Sequence, residues 1–208
     1  MVEINNELEV TDMTKTLNYY NQNAAQYCEN TINVEFDEKR EMLLKYLETP
    51  AHLLDLGCGS GRDSKAFLEK GFTVTAVDGS AELCKLASEY IGQDVKCMMF
   101  DQLEDMNQYD AVWACASLLH MPSSELLDIF NKVGMALKEN GYFYVSFKYG
   151  EFEGDREGRY FTDFTSESFG EFMKQLPQFK LVEIKVSEDV MPGRESLKWL
   201  NVVFKKVS

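Results

Sequence analysis

The sequence predicts an α/β protein built on a doubly wound, mostly parallel sheet of about seven strands that ends in a C-terminal antiparallel hairpin. Three observations predict this class. Short apolar runs alternate with helically periodic segments along most of the chain, as βαβ units do. A glycine-rich turn follows the first apolar run. The last two strand-like runs, Phe179–Val186 and Leu197–Val207, have no helix between them and should pair antiparallel. With 208 residues, 45% apolar and 12% aromatic, the chain has the size of one domain with a substantial core.

Taken in order, the stretch from Thr11 to Tyr46 reads as two helical pieces. In the second, Phe36, Leu43, Leu44 and Leu47 form an apolar face beside the charged Asp37–Glu41 run, and Pro50 punctuates it. Strand Ala51–Leu56 leads into the glycine turn and a helix near Asp63–Lys70 that Gly71 ends. Strand Phe72–Val77 follows, then a helix opened by Ser80 and closed near Gly92. Val95–Phe100 and Tyr109–Cys115 read as the third and fourth strands. Pro122, Ser123 and Glu125 signal a helix start, with Leu126, Ile129, Phe130, Val133 and Leu137 at helical spacing and Gly141 as its close. Tyr142–Phe147 is the fifth strand. Lys148–Phe164 has no clear period and is expected to be a long loop or flap, and a final helix is expected near Glu167–Leu176.

Charge and cysteine usage narrow the function. Twenty-one Lys and Arg against 35 Asp and Glu give a net charge of −14, which argues against general nucleic-acid binding and against an anionic membrane surface. The longest stretch free of charged side chains, Ala111–Ser124, is too short to span a bilayer, and the N-terminus has no signal-peptide pattern. Five scattered cysteines without a C-x-x-C, and only two histidines, offer no zinc pattern. The expectation is a cytoplasmic protein with reduced thiols and no metal; its oligomeric state is not set by the sequence.

The segment that carries chemistry is LLDLGCGSGRD, Leu53 to Asp63. It places Asp55, Gly57, Gly59 and Gly61 at the carboxyl end of the first strand, where open α/β sheets bind ligands. A dinucleotide turn needs G-x-G-x-x-G, but Arg62 stands at the third glycine's position and Gly61 falls one residue early. Asp55, two residues before the glycines, would repel a pyrophosphate and suit an ammonium. The second strand ends in Val77-Asp78-Gly79-Ser80, with Asp78 lying 21 residues beyond Gly57, where a carboxylate can accept both hydroxyls of a ribose. A ligand with an amino-acid end, a ribose and no phosphate is S-adenosylmethionine.

With these residues the sequence resembles the class I S-adenosylmethionine-dependent methyltransferases, which have a Rossmann-like sheet. D-L-G-C-G-S-G followed by A-V-D-G-S looks like the family's first two motifs. Phe100-Asp101 is similar to its adenine motif, and Tyr109-Asp110 with Trp113-Ala114-Cys115-Ala116-Ser117 is similar to its fourth-strand motif. G-S-G-R-D-S, W-A-C-A-S-L-L-H-M-P and S-F-K-Y-G resemble a bacterial small-molecule branch, akin to tellurite-resistance and thiopurine types. The resemblance implies a single methyltransferase domain over 1–208, with a helical lid over 1–50 and a flap over 148–164. It implies that Asp55 binds the methionine amino group through water, and that the backbone of Gly57, Cys58 and Gly59 lines the methionyl part. Asp78 would take the ribose, with Gly79 and Ser80 beside it. Asp101 would meet the adenine amino group, with Phe100 and Leu83 near the ring. Ala116 would lie along the sulfonium, and Tyr20 and Tyr27 would belong to the lid. Arg62 departs from the usual motif: it either binds the methionine carboxylate or starts the helix.

The implied reaction is an in-line displacement that needs positioning and the exclusion of water, and a base only if the acceptor carries a proton. His120, just past the fourth strand, is the candidate base; its plain alternative is a loop histidine that caps a carbonyl or packs under Pro122. The acceptor is expected to be a small molecule, planar or carboxylate-bearing, roofed by the flap with Lys148, Tyr149, Arg159 and Phe161 and by the 187–200 segment with Arg194 and Trp199. Arg156 reads as a partner of the neighbouring acids. The alternative reading is a non-catalytic S-adenosylmethionine or nucleoside-binding module of the same fold.

Overall fold

The computed structural model describes residues 12–191, 193–194 and 196–207; the part of the expected lid before residue 12 lies outside them. Strands β1 (His52–Leu56), β2 (Thr73–Asp78), β3 (Lys96–Cys97), β4 (Tyr109–Ala114), β5 (Leu137–Lys148), β8 (Phe179–Glu188) and β9 (Lys198–Lys206) form one seven-stranded sheet in the order β3-β2-β1-β4-β5-β9-β8. The first five are parallel, and β9 is antiparallel to both β5 and β8, so the expected C-terminal hairpin forms. Strand order reverses between β1 and β4. Their carboxyl ends therefore open a crevice at the topological switch point.

Helices cover both faces. On one, α5 (Ser123–Ala136) and α6 (Ser166–Met173) pack Leu126, Ile129, Phe130 and Phe169 against Phe143, Phe147 and Phe204 of the sheet. Phe130 meets Phe143 and Phe172 edge-on at centroid distances of 5.1 and 5.2 Å. Truncating such a side chain to alanine costs about 3–5 kcal/mol through lost burial and the cavity left behind. On the other face, α2 (Asp37–Leu44), α3 (Arg62–Glu69) and α4 (Ala81–Ile91) bury Leu43, Phe67 and Ala87 around Trp113, which stacks on Tyr144 at 3.9 Å. The Trp113 indole donates to Asp63 Oδ2 at 3.1 Å, so this buried ring has its polar partner.

Three expectations are corrected. The third strand shrinks to Lys96–Cys97: after Met98 N–H donates to the Asp78 carbonyl, the chain leaves the sheet edge, and Phe100–Gln102 winds into a 3-10 turn. Gly141 does not end α5. That helix stops at Ala136 because Leu137 is already extended, and β5 runs on through a register irregularity opposite Tyr109 and Ala111. At Gly141 a Cβ would stand 2.9 Å from the Lys138 carbonyl oxygen, so the irregularity needs a glycine there. The flap is not a loop: β6 (Glu153–Arg156) and β7 (Arg159–Thr162) form a hairpin. Its two-residue turn, Glu157-Gly158, has φ of +57° and +79°, the positive values that tight hairpins require.

The long helix α1 (Asp12–Thr31) lies across the carboxyl end of the sheet between α4 and the flap. Asn21 Oδ1 accepts from Ser80 Oγ at 2.7 Å and from the Glu82 N–H, which ties the helix to the start of α4. Thr16 Oγ1 accepts from the Tyr160 N–H at 2.9 Å, which ties it to β7.

Candidate functional site

A cleft with about 540 Å³ of atom-free space, part of it open to solvent, lies between α1 and the strand ends. Its floor is the turn after β1. Gly57 holds φ at +86°, and a Cβ there would fall 2.4 Å from Ser117 Cβ, so glycine is required by both backbone and neighbour. A Cβ on Gly59 would press on the Tyr27 ring at 3.0–3.1 Å. Asp78 closes one wall. Its Oδ2 accepts from the Gly59 N–H and its Oδ1 from the Ser80 N–H, both at 2.9 Å. Burial raises its pKa, while the N–H groups of Ser80, Gly59 and Gly79 pull it back toward the ionised form. The carboxylate is thus aimed into the cleft by the backbone, with lone pairs to spare.

Gly79, Leu83, Met98, Met99 and Phe100 build the wall beside Asp78, and Met13, Leu17, Tyr20 and Tyr27 come down from α1. Tyr20 and Tyr27 stand seven residues apart on one helix face with their rings edge-on at 5.3 Å. At the far end are Ala116, Ser117 and His120. Ala116 holds a left-handed φ of +52°, a strained state for a residue with a Cβ; its N–H donates to Ser146 Oγ at 2.8 Å.

His120 is buried. Its Nδ1 lies 2.6 Å from the Tyr160 carbonyl oxygen, which can only accept, so Nδ1 carries the proton. Nε2 is then the acceptor of the Tyr20 O–H at 2.8 Å. Burial pulls its pKa down to about 4; the Tyr160 carbonyl opposes this, and the charges of Arg159 and Lys148 add to it. His120 is therefore a neutral imidazole at pH 7. Tyr20, buried beside it, has its pKa raised by burial, with Arg159 acting in the opposite direction.

Several expected site residues lie elsewhere. Asp55 is behind the turn, off the cleft surface, accepting from Ser64 Oγ at 2.6 Å. Burial first, and the nearby Asp63 second, push its pKa up to about 7. Cys58 is buried away from the cleft. Arg62 opens α3, bonds both oxygens of Asp63 at 3.0 and 2.7 Å, stacks 4.0 Å from the Phe36 centroid and does not line the cleft. Ser80 caps α4 by accepting from the Leu83 N–H. Asp101 borders an adjoining hollow with Met121, Pro122 and Glu125 rather than the cleft itself.

On the acceptor side, Lys148, Arg159 and Phe161 are brought against His120, whose ring is 4.8 Å from that of Phe161. Tyr149 points outward, the Trp199 indole donates to Asp189 at 2.9 Å, and Arg194 lies on an exposed turn. Sequence reasoning missed Met13, Thr16, Leu17, Met98, Met99 and Ser117. The Met98-Met99 pair just ahead of Phe100 was the one legible signal, since a strand this short turns its last residues into the crevice.

The residues present fit S-adenosylmethionine. A glycine floor that a Cβ would obstruct, a backbone-held carboxylate for ribose hydroxyls and a wall of Leu83, Met99 and Phe100 for adenine are together in one cleft. Residues 53–141 match the family model for a methyltransferase domain. The putative methyltransferase YqeM of Bacillus subtilis is 28% identical over 141 residues, 62% of this chain and 56% of that protein. The chain spans about half the length of the curated relatives it matches. In fold it is similar to the Burkholderia thailandensis 1,6-didemethyltoxoflavin-N1-methyltransferase, crystallised with 1,6-didemethyltoxoflavin and S-adenosylhomocysteine. That match has a TM-score of 0.75 and 20% identity over 94% of this chain and 89% of that one. It is also similar to the [4+2]-cyclase SpnF, with a TM-score of 0.68 and 16% identity over 95% of each chain. Residues 53–141, which carry the motifs on this cleft, match a methyltransferase domain, and the fold around them is that of S-adenosylmethionine-dependent methyltransferases.

Proposed function

We propose that the protein transfers the methyl group of S-adenosylmethionine to a small-molecule acceptor. The observation that carries the reading is the cleft's two-ended construction. A ribose-type carboxylate stands at one end, and a small residue, Ala116, with the buried Tyr20–His120 pair stands at the other. A cleft that lies under α1 favours a small acceptor, and the −14 balance disfavours nucleic acid.

Bound S-adenosylmethionine supplies a methyl carbon that its sulfonium makes electrophilic. Asp78 and the Gly57–Gly59 backbone hold the nucleoside and methionyl parts; Tyr20, Tyr27 and α1 exclude water. Tyr20 donates to His120 Nε2, so its oxygen is free to take the acceptor's proton while its own passes to the imidazole. A base with a pKa of about 4 is poorly matched to early proton removal. It suits an acceptor that loses its proton late, after the new bond has formed, or one that arrives ionised.

The SpnF likeness favours one second reading: the fold can carry a reaction other than methyl transfer. Incubation with methyl-labelled S-adenosylmethionine and fractionated small metabolites separates the two. Label in an organic acceptor supports the proposal. Tight cofactor binding with no label moved into any small-molecule, protein or RNA fraction overturns it in favour of the alternative.

A further inference from the structure

The flap gathers positive charge in a strongly acidic protein. Arg156 and Arg159 are cross-strand partners in the β6–β7 hairpin, and Lys148 ends β5 beneath them. All three converge on one buried ring: Lys148 Nζ lies 4.2 Å from the Phe161 centroid, and the guanidinium carbons of Arg156 and Arg159 lie at 5.1 and 5.2 Å. Arg159 also covers Tyr19 at 4.3 Å.

Among the described residues, the local carboxylates do not balance this cluster. Asp163 Oδ2 accepts from Arg156 at 2.9 Å, which accounts for one cation. Among the described residues, the carboxylate that Arg159 meets is Glu157 at 3.7 Å, on a side chain 83% exposed, and the Arg159 Nε is buried with no hydrogen-bond partner among them. Lys148 has no ion pair among the described residues. Burial is the main cause that lowers its pKa; the charges of Arg156, Arg159 and Arg194 add to this and Asp163 opposes it. Like charges so placed oppose folding, and their persistence calls for an anion between them.

The cluster also sits where an acceptor must reach. Phe161 packs on His120 at 4.8 Å, and the Arg159 guanidinium is 5.9 Å from the Tyr20 ring; His120 and Tyr20 both line the cofactor cleft. The charges therefore lie across the Tyr20–His120 pair from the glycine turn.

We infer that the methyl acceptor is an anionic small molecule, its carboxylate or phosphate seated between Lys148 and Arg159 at Phe161 and its methylated atom directed toward Ala116. The inference rests on the methyltransferase reading for what the anion is part of, but the anion site is tested separately. Planar, charged Arg159 gives two parallel donors to such a group, and Lys148 gives a point charge from the other side.

The test is a calorimetric titration of the full chain with benzoate, its neutral isostere benzamide and inorganic phosphate, each with and without saturating S-adenosylhomocysteine. Wild type is compared with Lys148→Gln and Arg159→Gln, and with Lys180→Gln as a remote charge control; thermal melts confirm that each variant is folded. Benzoate or phosphate should bind, with benzamide at least about tenfold weaker. Each cluster variant should lower anion affinity about tenfold, and Lys180→Gln should not. Preference for benzoate assigns a carboxylate acceptor, and preference for phosphate a phosphorylated one. Absence of anion binding, equal binding of benzamide, or affinities indifferent to both cluster variants overturns the inference. Failure of S-adenosylhomocysteine to bind, with anion binding intact, instead overturns the methyltransferase reading.

Discussion

The two ends of the cleft are held in place by different means. At the cofactor end, position comes from the backbone: Gly57 at φ +86°, and Asp78 fixed by the N–H groups of Gly59 and Ser80. At the acceptor end, position comes from side chains on three separated segments: Tyr20 on α1, His120 after β4, and the cations of β5 and the flap. A backbone cradle tolerates few residue types at each position and serves one ligand. A side-chain assembly changes with single substitutions, which is how one fold serves many acceptors.

If this contrast is right, damage at the cofactor end should be the more severe. Asp78→Ala removes the ribose contact and frees the Gly59 and Ser80 N–H groups, so S-adenosylhomocysteine affinity should fall about ten- to hundredfold by calorimetry, a cost of about 1.5–3 kcal/mol. Equal binding by wild type and variant would remove Asp78 from the ribose site. Gly57→Ala and Gly71→Ala form a matched pair, because φ is +86° and +87° but only Gly57 has a neighbour in the way. Both should lose the left-handed backbone cost, about 1 kcal/mol or a little more, and Gly71→Ala should melt about 2–4 °C lower. Gly57→Ala should fall at least twice as far; equal losses would show that the Ser117 contact does not matter.

Asp55 sharpens the contrast by linking stability to pH. Its folded pKa of about 7 lies above the unfolded value, so ionising it opposes folding progressively from about pH 4 to 7 and fully above. Asp55→Asn should therefore melt higher than wild type at pH 8 by about 10 °C, with the difference largely gone at pH 4. A constant difference across that range would contradict the raised pKa.

The smallest effect is expected at the acceptor end. His120→Ala should lower kcat about tenfold, below the 10²–10⁴-fold typical of a well-matched base, and should leave S-adenosylhomocysteine affinity within about threefold. Since the neutral imidazole is the working form and protonates only near pH 4, the wild-type rate should not fall as pH drops from 7 to 5. An inflection near pH 6.5 that vanishes in His120→Ala would show an unperturbed histidine.

The same difference explains what the sequence made legible. Gly57, Gly59 and Asp78 could be read because strand-end geometry restricts those positions to few residue types, and the fold class with its C-terminal antiparallel hairpin followed from the alternation of periods. Tyr20 and Tyr27 were readable as one helix face. The flap hairpin was not, because strands of four residues carry too little alternation and its turn signal is a single Glu157-Gly158 pair. Nor was the gathering of Lys148, Arg156 and Arg159 on Phe161, since it depends on β5 passing under a hairpin. Arg62 and Ser80 looked like ligand contacts from their place in the motif, yet each is held by a neighbour: Arg62 by Asp63, and Ser80 by the first turn of α4. The neutral state of His120 was also hidden, because it comes from burial under Tyr20 and Phe161.

The central claim is that this cleft holds the nucleoside and methionyl parts of S-adenosylmethionine. It is tested most directly by titrating the wild-type chain with S-adenosylhomocysteine and, in parallel, with NADH. Saturable one-to-one binding of S-adenosylhomocysteine and no comparable binding of NADH are expected, because Arg62 occupies the third-glycine position of a dinucleotide turn and Gly61 falls one residue early. Binding of NADH in preference to S-adenosylhomocysteine, or of neither, would contradict it.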